Sequence, residues 1–262
     1  VNKVPFFGAA IICLDDPNVQ LIIPHIKRRR VTYGMTAQAD VSGHEIRYDS
    51  EFGSRFKVWR GDTVLGEIHL PVPGKHNVYN ALAATAVALE MDIAFETIVE
   101  AFATFKNANR RFQFKGEGNG ITVVDDYGHH PTEILATLGA AKNAAAGRRT
   151  VVIFQPHRYS RTSELMDDFV VAFNNADVLY VLDIYAASET PIEGITAEVL
   201  TENIKRFGHK NVTYIGDIDK AADRVVPELV AGDLVITLGA GTVTRLSDEI
   251  VDRIKPKDNG EA

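Results

Sequence analysis

Hydrophobic residues follow two different rhythms along the chain, and the change between them falls near residue 108. In the first part, the short apolar run at 9–14 predicts a buried strand, since it is too short for a helix. Apolar and polar residues alternate over 38–70, with a turn at 60–62, which is typical of an antiparallel meander. Apolar residues at helical spacing then predict helices over 76–91 and 95–105.

Beyond a short polar segment at 106–109, strand-like and helix-like stretches alternate. Runs rich in valine and isoleucine predict buried strands at 121–125, 150–154, 178–182 and 233–238, with a weaker strand at 211–215. Helical patterns fall near 132–146, 163–174, 197–207, 218–230 and 243–254. This order predicts a Rossmann-like, mostly parallel sheet with helices on both faces. We therefore divide the chain into two α/β domains, the first with the meander at 1–108 and the second at 109–262.

Composition narrows the class of protein. Apolar residues make up 45% and charged residues 24% of the 262 residues, as in ordinary globular domains. The net charge of −7 argues against nucleic-acid binding, and no stretch reaches the roughly 20 apolar residues of a membrane helix. The single cysteine, Cys13, is typical of a reduced cytoplasmic protein. Because the chain begins with Val1 in a strand-like segment, we expect a piece of a larger protein.

The loops that come immediately after the predicted parallel strands are rich in residue types that bind ligands. In such sheets ligands bind beyond the carboxyl ends of the strands, so these loops should share one edge. The four loops are DDYGHHP at 125–131, QPHRYSR at 155–161, DIY at 183–185 and GAGT at 239–242. Three of the eight histidines lie in the first two loops, and this concentration favours a binding site.

The QPHRYSR loop favours an anionic ligand. Arg158 and Arg161 lie three residues apart, so on a helical turn they would point the same way and could hold one carboxylate or phosphate. For DDYGHHP, a plain turn is an equal alternative, with Pro131 at the first helical position and His130 just before it. Neither loop has the regular spacing of metal ligands, so we assign no metal ligands in this chain.

Three further segments each have a binding interpretation and a structural one. His76, Asn77 and Asn80 begin a predicted helix, where the amides could read an adenine edge or Asn77 could simply cap the helix. The segment NRRF at 109–112 could place an arginine on a nucleotide or be a solvated linker. GAGT lacks the third glycine of a dinucleotide motif, so a tight strand-to-helix turn is favoured there.

Five segments, in this order, resemble the Mur ligase family: PGKHNVYNALAA, NRRFQF, VVDDYGHHPTEI, QPHRYSRT and LGAGTVTRL. PFFGAAIICLDDP and RRVTYG are also similar to segments of that family. The resemblance covers nearly the whole chain and is closer to the member that joins L-alanine to UDP-N-acetylmuramate in peptidoglycan biosynthesis. It implies that 1–108 is the later part of a central ATPase domain and that 109–262 is the C-terminal Rossmann-like domain.

The resemblance also implies a reaction and a set of site residues. ATP, with Mg²⁺, would phosphorylate the lactyl carboxylate of UDP-N-acetylmuramate, and the amino group of L-alanine would attack the acyl phosphate. The residues that would bind the nucleotide are His76, Asn77 and Asn80 at adenine, with Arg111 and Asp126 at phosphate or ribose. The residues that would line the amino-acid and lactyl side of the cleft are Tyr127, His129, His157, Arg158 and Arg161.

The chain contains no G-x-x-x-x-G-K-[ST] phosphate loop. In the family, that loop, the main magnesium ligands and the UDP-sugar domain lie upstream, so the sequence looks like a fragment that we expect to be inactive alone. Unpaired strand edges in such a fragment would favour a homo-oligomer. One alternative is the related ligase that recycles murein peptides. The other is a non-catalytic nucleotide-binding α/β module, which predicts no convergence of His129, His157, Arg158 and Arg161.

Overall fold

The computed structural model describes residues 1–49, 52–144 and 147–255. The chain divides into two compact units between Lys106 and Asn107, two residues before the predicted boundary. Both units are α/β, and no helix in the described ranges is long and apolar enough to cross a membrane.

The first unit is a five-stranded sheet with three helices. Its strands, in spatial order, are β1 (Ala10–Cys13), β2 (Arg30–Gly34), β3 (Val41–Tyr48), β4 (Ser54–Arg60) and β5 (Thr63–Leu70). The first three strands are parallel and the last three antiparallel, so the predicted meander is confirmed. The helices are α1 (Pro17–Ile22), α2 (Lys75–Glu90) and α3 (Phe95–Ala103).

Helix α2 packs on the sheet through the apolar face that its sequence predicts. Val78, Leu82 and Ala86 are fully buried against β-strand residues that include Phe56 and Val58. Gly43 of β3 permits this approach, because a Cβ atom there would lie 2.9 Å from a methyl group of Leu82. Helix α2 is therefore packed closely against this sheet.

The second unit is a six-stranded sheet in the spatial order β10-β9-β8-β11-β7-β6. Its strands are β6 (Gln113–Gly118), β7 (Ile121–Asp126), β8 (Thr150–Phe154), β9 (Val178–Leu182), β10 (Val212–Gly216) and β11 (Leu234–Leu238). Its helices are α4 (Pro131–Ala144), α5 (Tyr159–Glu164), α6 (Met166–Ala172), α7 (Ala197–Arg206), α8 (Ala221–Val225) and α9 (Thr244–Ile254). All neighbouring strands are parallel except β6 and β7, which confirms the mostly parallel Rossmann-like prediction.

Three elements of this unit differ from the sequence prediction. Strand β6 was not predicted; it pairs antiparallel to β7 through Asn119-Gly120, both with positive φ (50° and 75°), as a tight hairpin turn requires. The predicted helix at 163–174 is two helices, α5 and α6, separated at Leu165. The predicted helix at 218–230 is the short α8 between two 3₁₀ turns, the second containing Pro227, whose nitrogen cannot donate a hydrogen bond.

Candidate active site at the carboxyl edge of the second sheet

The four loops that follow β7, β8, β9 and β11 meet at one edge of the sheet. The ring centroids of His129 and His157 lie 5.6 Å apart, and Tyr185 stacks on His157 with ring planes 20° apart. A Cβ atom on Gly241 would lie 2.9 Å from the side chain of Tyr185, so the GAGT loop approaches the same ring. The predicted convergence of these loops is present.

Arg110 ties the edge of the sheet to the GAGT loop. Its Nε donates to the fully buried carboxylate of Asp125 at 2.9 Å, and its terminal nitrogens donate to the carbonyls of Gly239 and Gly241. Asp125 also accepts hydrogen bonds from Thr237 at 2.6 Å and Thr244 at 2.8 Å. Sequence reasoning missed this role of Arg110, although a buried strand ending in two aspartates signals a need for a cation.

Asp126 holds the backbone around the DDYGHHP loop. Its carboxylate is 4% exposed and accepts hydrogen bonds from the Phe112 N–H at 2.8 Å and the Gly128 N–H at 2.7 Å. Burial raises the pKa of Asp126, and those N–H donors oppose that rise by stabilising the ionised form. Much of this carboxylate is thus engaged within the chain itself.

Glu133 organises the start of α4. Its Oε2 accepts hydrogen bonds from the backbone N–H groups of His129 at 3.1 Å and His130 at 3.2 Å. Burial acts to raise the pKa of Glu133, but these donors and Arg111, 3.2 Å away, bring it below its usual value. His130 directly precedes Pro131, the first residue of α4, so the plain-turn interpretation holds for these two residues.

The geometry defines which ring nitrogen of His129 carries the proton in the neutral form. Nδ1 lies 2.9 Å from the carbonyl oxygen of Tyr127, which can only accept, so Nδ1 donates and Nε2 keeps its lone pair. The Tyr127 ring packs edge-to-face on His129, with centroids 5.2 Å apart. The guanidinium groups of Arg110 and Arg111 lie 5.1 and 5.7 Å from the same tyrosine ring.

His157 has the opposite proton arrangement. Arg161 lies 3.0 Å from its Nδ1, and because a guanidinium has no acceptor, Nδ1 accepts and the ring proton resides on Nε2. Burial lowers the pKa of His157, and the positive charges of Arg161 and Arg158 lower it further. In their neutral forms the two imidazoles, which face each other across this edge, therefore have opposite tautomers.

The two arginines of QPHRYSR do not share a helical turn, so that prediction is wrong. Arg158 precedes α5 in a left-handed conformation (φ 74°), and its N–H donates to the Tyr185 carbonyl at 2.8 Å. One terminal nitrogen of Arg158 lies 4.0 Å from Glu189, whereas Arg161 turns back to bond the imidazole and the carbonyl of His157. Arg158 remains half exposed and open to a ligand.

The predicted adenine residues lie at the start of α2 in the first unit. Gly74, with φ 100°, precedes the helix, so the interpretation of Asn77 as its N-cap is wrong. The Asn77 amide instead donates to the Pro73 carbonyl at 2.7 Å, and the Asn80 amide lies 3.5 Å from the Asn77 oxygen. His76 and Asn80 are exposed. The structure thus places His76, Asn77 and Asn80 together in the first turns of α2.

No group of three or more His, Cys, Asp or Glu side chains suited to a metal ion occurs within residues 1–49, 52–144 and 147–255. The aspartates beside His129 are engaged with Arg110, threonines and backbone N–H groups instead.

Comparison with known proteins agrees with this architecture. The sequence matches the Mur ligase middle domain over residues 1–88 and the glutamate ligase domain of Mur ligases over residues 110–241. The chain belongs to the Mur ligase family. Similar Mur ligases include the UDP-N-acetylmuramate–L-alanine ligase of Geobacter sp. (strain M21), 53% identical over 97% of this chain and 55% of that relative. The enzyme of the same name from Solibacter usitatus (strain Ellin6076) is 52% identical over 99% of this chain and 55% of the relative.

Solved Mur ligase structures share the fold. The UDP-N-acetylmuramate–alanine ligase of Thermotoga maritima superposes with a TM-score of 0.75 at 25% identity, over 93% of this chain and 50% of that chain. A murein peptide ligase of Psychrobacter arcticus gives a TM-score of 0.64 at 22% identity, over 97% of this chain and 52% of that chain, which is a likeness of fold alone. The chain spans about half the length of the curated relatives it matches.

Proposed function

We propose that a ligase containing this chain joins L-alanine to the lactyl carboxylate of UDP-N-acetylmuramate through an acyl phosphate, in cytoplasmic peptidoglycan synthesis. The observation that carries the proposal is the convergence of His129, His157 and the arginines at one sheet edge in a Mur ligase with about 50% identity to enzymes of that name. A non-catalytic module does not require two imidazoles and two arginines at the same edge of the sheet.

Arg158 and Arg161 supply the charge that the carboxylate of free alanine needs. Arg158 is half exposed and has N–H donors beyond its approach to Glu189. Arg161 is anchored on His157 and adds a second positive charge nearby. A carboxylate bound by guanidinium donors would be held in a defined orientation, which is the main requirement of a reaction without a covalent catalyst.

The two imidazoles have complementary tasks. In the proposed step the amine nitrogen of alanine forms a bond to the acyl carbon, the carbon–oxygen bond to phosphate breaks, and phosphate leaves with the bonding electrons. The lone pair on His129 Nε2 suits a base that takes the proton from the amine, and the N–H on His157 Nε2 suits a donor to the tetrahedral oxyanion. The Tyr127 ring packs edge-to-face against His129 and limits the rotation of its imidazole on that side.

The nucleotide assignment has one set of residues in each unit, and each set is argued from its own unit: the first turns of α2 in the first unit, and the DDYGHHP edge in the second. An amide donates and accepts, as an adenine edge does, and Asn80 with His76 is exposed for such contact. ATP bound by the ligase would supply the phosphoryl group. Arg111, whose side chain is 44% exposed, suits a phosphate or ribose, whereas Asp126 would act there mainly by positioning backbone N–H groups. Among the described residues no group of three or more metal-ligating side chains occurs, so we propose that the main ligands of the Mg²⁺ that accompanies ATP lie outside this chain.

The substrate test uses a full-length ligase carrying this sequence, with UDP-N-acetylmuramate and ATP. We expect ADP release that depends on L-alanine. Turnover with a murein tripeptide in place of L-alanine, and none with L-alanine, would assign the chain to the recycling ligase instead. Light scattering of the isolated 262-residue chain tests the homo-oligomer, because the unpaired strand edges that would favour it belong to the fragment.

A further inference from the structure

The loop that follows β9 is held by hydrogen bonds to neighbouring segments along its length. Asp183, at its start, accepts a hydrogen bond from the Tyr214 hydroxyl at 2.5 Å. The Tyr185 backbone donates to the Pro156 carbonyl and accepts from the Arg158 N–H, each at 2.8 Å. We call residues 183–189 the clasp loop, because it holds the QPHRYSR segment by its backbone.

Glu189 ends the clasp loop with its carboxylate firmly anchored. One oxygen accepts from the Ser160 hydroxyl at 2.7 Å and the other from the Ser160 N–H at 3.0 Å. These donors hold the pKa of Glu189 below its usual value, so the group stays ionised. Its first oxygen lies 4.0 Å from a terminal nitrogen of Arg158. Glu189 is thus a fixed negative charge beside a long, half-exposed cation.

The backbone around this pair is strained. Arg158 (φ 74°), Ala187 (φ 48°) and Ser188 (φ 70°) all have left-handed conformations, which are costly for residues with a side chain. Such conformations persist only where surrounding contacts determine them, and they concentrate at functional sites. The hydrogen bonds of Tyr185 and Glu189 provide those contacts here.

We propose that Glu189 is a positioning residue that directs the Arg158 guanidinium toward the carboxylate of the amino-acid substrate. This inference rests on the proposed function, in which Arg158 binds that carboxylate. At 4.0 Å the pair restricts the rotamers of Arg158 without a tight bidentate contact, and the remaining N–H donors stay open to the ligand. The clasp loop thereby becomes part of the amino-acid subsite without touching the reacting atoms.

The test is steady-state kinetics of Glu189→Gln in a full-length ligase carrying this sequence. We expect KM for L-alanine to rise about fivefold or more, with KM for ATP unchanged and kcat within about twofold. Simple charge removal predicts the opposite, because deleting a negative charge near an anion site should lower KM. A lowered or unchanged KM for L-alanine therefore overturns the inference.

Matched variants separate this inference from the proposed function. Glu193→Gln makes the same charge change at an exposed position in the same connection and should leave all constants unchanged; a rise there as well would overturn the positioning role. If Arg158→Ala raises KM for L-alanine but Glu189→Gln does not, the inference fails and the proposed function stands. If Arg158→Ala itself has no effect, the proposed function of Arg158 fails.

A double variant and a conservative variant complete the design. Adding Glu189→Gln to Arg158→Ala should raise KM no further, because a positioning residue acts only through its target. Additive effects would contradict the inference. Should Glu189→Gln fail to fold, Glu189→Asp is the alternative, because it keeps the negative charge but shortens the side chain by one methylene. We expect a smaller rise in KM for L-alanine, again with KM for ATP unchanged. No rise in KM for L-alanine would contradict the inference.

Discussion

Arg161 donates a hydrogen bond to Nδ1 of His157 at 3.0 Å, so one cation fixes the tautomer of the imidazole four residues before it. The same contact makes protonation of His157 unfavourable, because the imidazolium would have a hydrogen on Nδ1 facing a guanidinium. The proton arrangement of the site is therefore coupled to the position of one arginine.

The first prediction concerns the titration of His157. Burial and nearby arginine charge hold its pKa below the ordinary value of about 6.5. Arg161→Gln removes one of those charges, so the pKa of His157 should rise toward the ordinary value. Histidine ring resonances followed by NMR across pH check this on the chain itself. Arg206→Gln, on the exposed end of α7, is the control, and an unchanged pKa in Arg161→Gln would contradict the assignment.

The second prediction concerns catalysis. In a full-length ligase carrying this sequence, Arg161→Ala should raise KM for L-alanine or lower kcat at least about tenfold, roughly 1.4 kcal/mol, the scale of a lost charged hydrogen bond. Initial rates at varied L-alanine measure it. Unchanged kinetics would remove Arg161 from the site.

The third prediction compares two adjacent arginines. Arg110→Ala leaves the fully buried Asp125 carboxylate without its cation and should lower the free energy of unfolding by about 3–5 kcal/mol. Arg111→Ala breaks only a partly exposed pair with Glu133 and should cost at most about 1 kcal/mol. Urea denaturation of both variants measures the difference. Equal losses of unfolding free energy would show that Arg110 does not stabilise this edge of the sheet more than Arg111 does.

The fourth prediction concerns acid stability. His209 is 7% exposed, and neither ring nitrogen has a hydrogen-bond partner within the described chain. Burial lowers its pKa, an effect that the nearby Ala176 and Phe173 backbone partly opposes. Since the folded pKa lies below the unfolded value of about 6.5, the unfolded state takes up the proton first, and stability falls as pH drops below that value.

Replacing the ring tests that linkage. Between about pH 7.5 and about pH 5, His209→Leu should lose less of its unfolding free energy than the parent chain, because it has no imidazole that gains a proton on unfolding. His25→Gln, at an exposed position, should behave as the parent does. Identical pH dependence in His209→Leu and the parent would locate the acid sensitivity elsewhere, for example at His157.

The fifth prediction concerns the chain alone. Because its sequence contains no G-x-x-x-x-G-K-[ST] motif, the isolated polypeptide should neither hydrolyse ATP nor ligate alanine. Phosphate release above a no-enzyme control, abolished by Arg158→Ala, would show otherwise.

Much of the fold follows from local pattern. The valine- and isoleucine-rich runs of β7, β8 and β11 are buried throughout, since helices cover both faces, and such strands are legible as apolar runs. Strand β6 was not predicted because its sequence, QFKGEG, contains two glycines, which are uncommon in strands. It lies at the edge of the sheet, where it pairs with one neighbouring strand. The Asn119-Gly120 turn was the available signal.

The sequence predicted which residue types form the site, but not the directions of all their side chains. Parallel topology is enough to bring His129 and His157 to one edge, so their meeting could be predicted. The directions of Arg158 and Arg161 could not, because the helical periodicity that paired them fails where Arg158 adopts a positive φ before α5. Arg110 was also missed, since its partner Asp125 and the GAGT carbonyls are distant in sequence.

Strand β11 is the last strand along the described part of the chain, yet it lies between β8 and β7. During synthesis on the ribosome, the segments that carry His129 and His157 emerge long before the strand that spaces them apart. A nascent chain that ends before Leu234 therefore lacks the strand that separates β8 from β7, and the two histidines can reach their final separation only after Leu238 has been made.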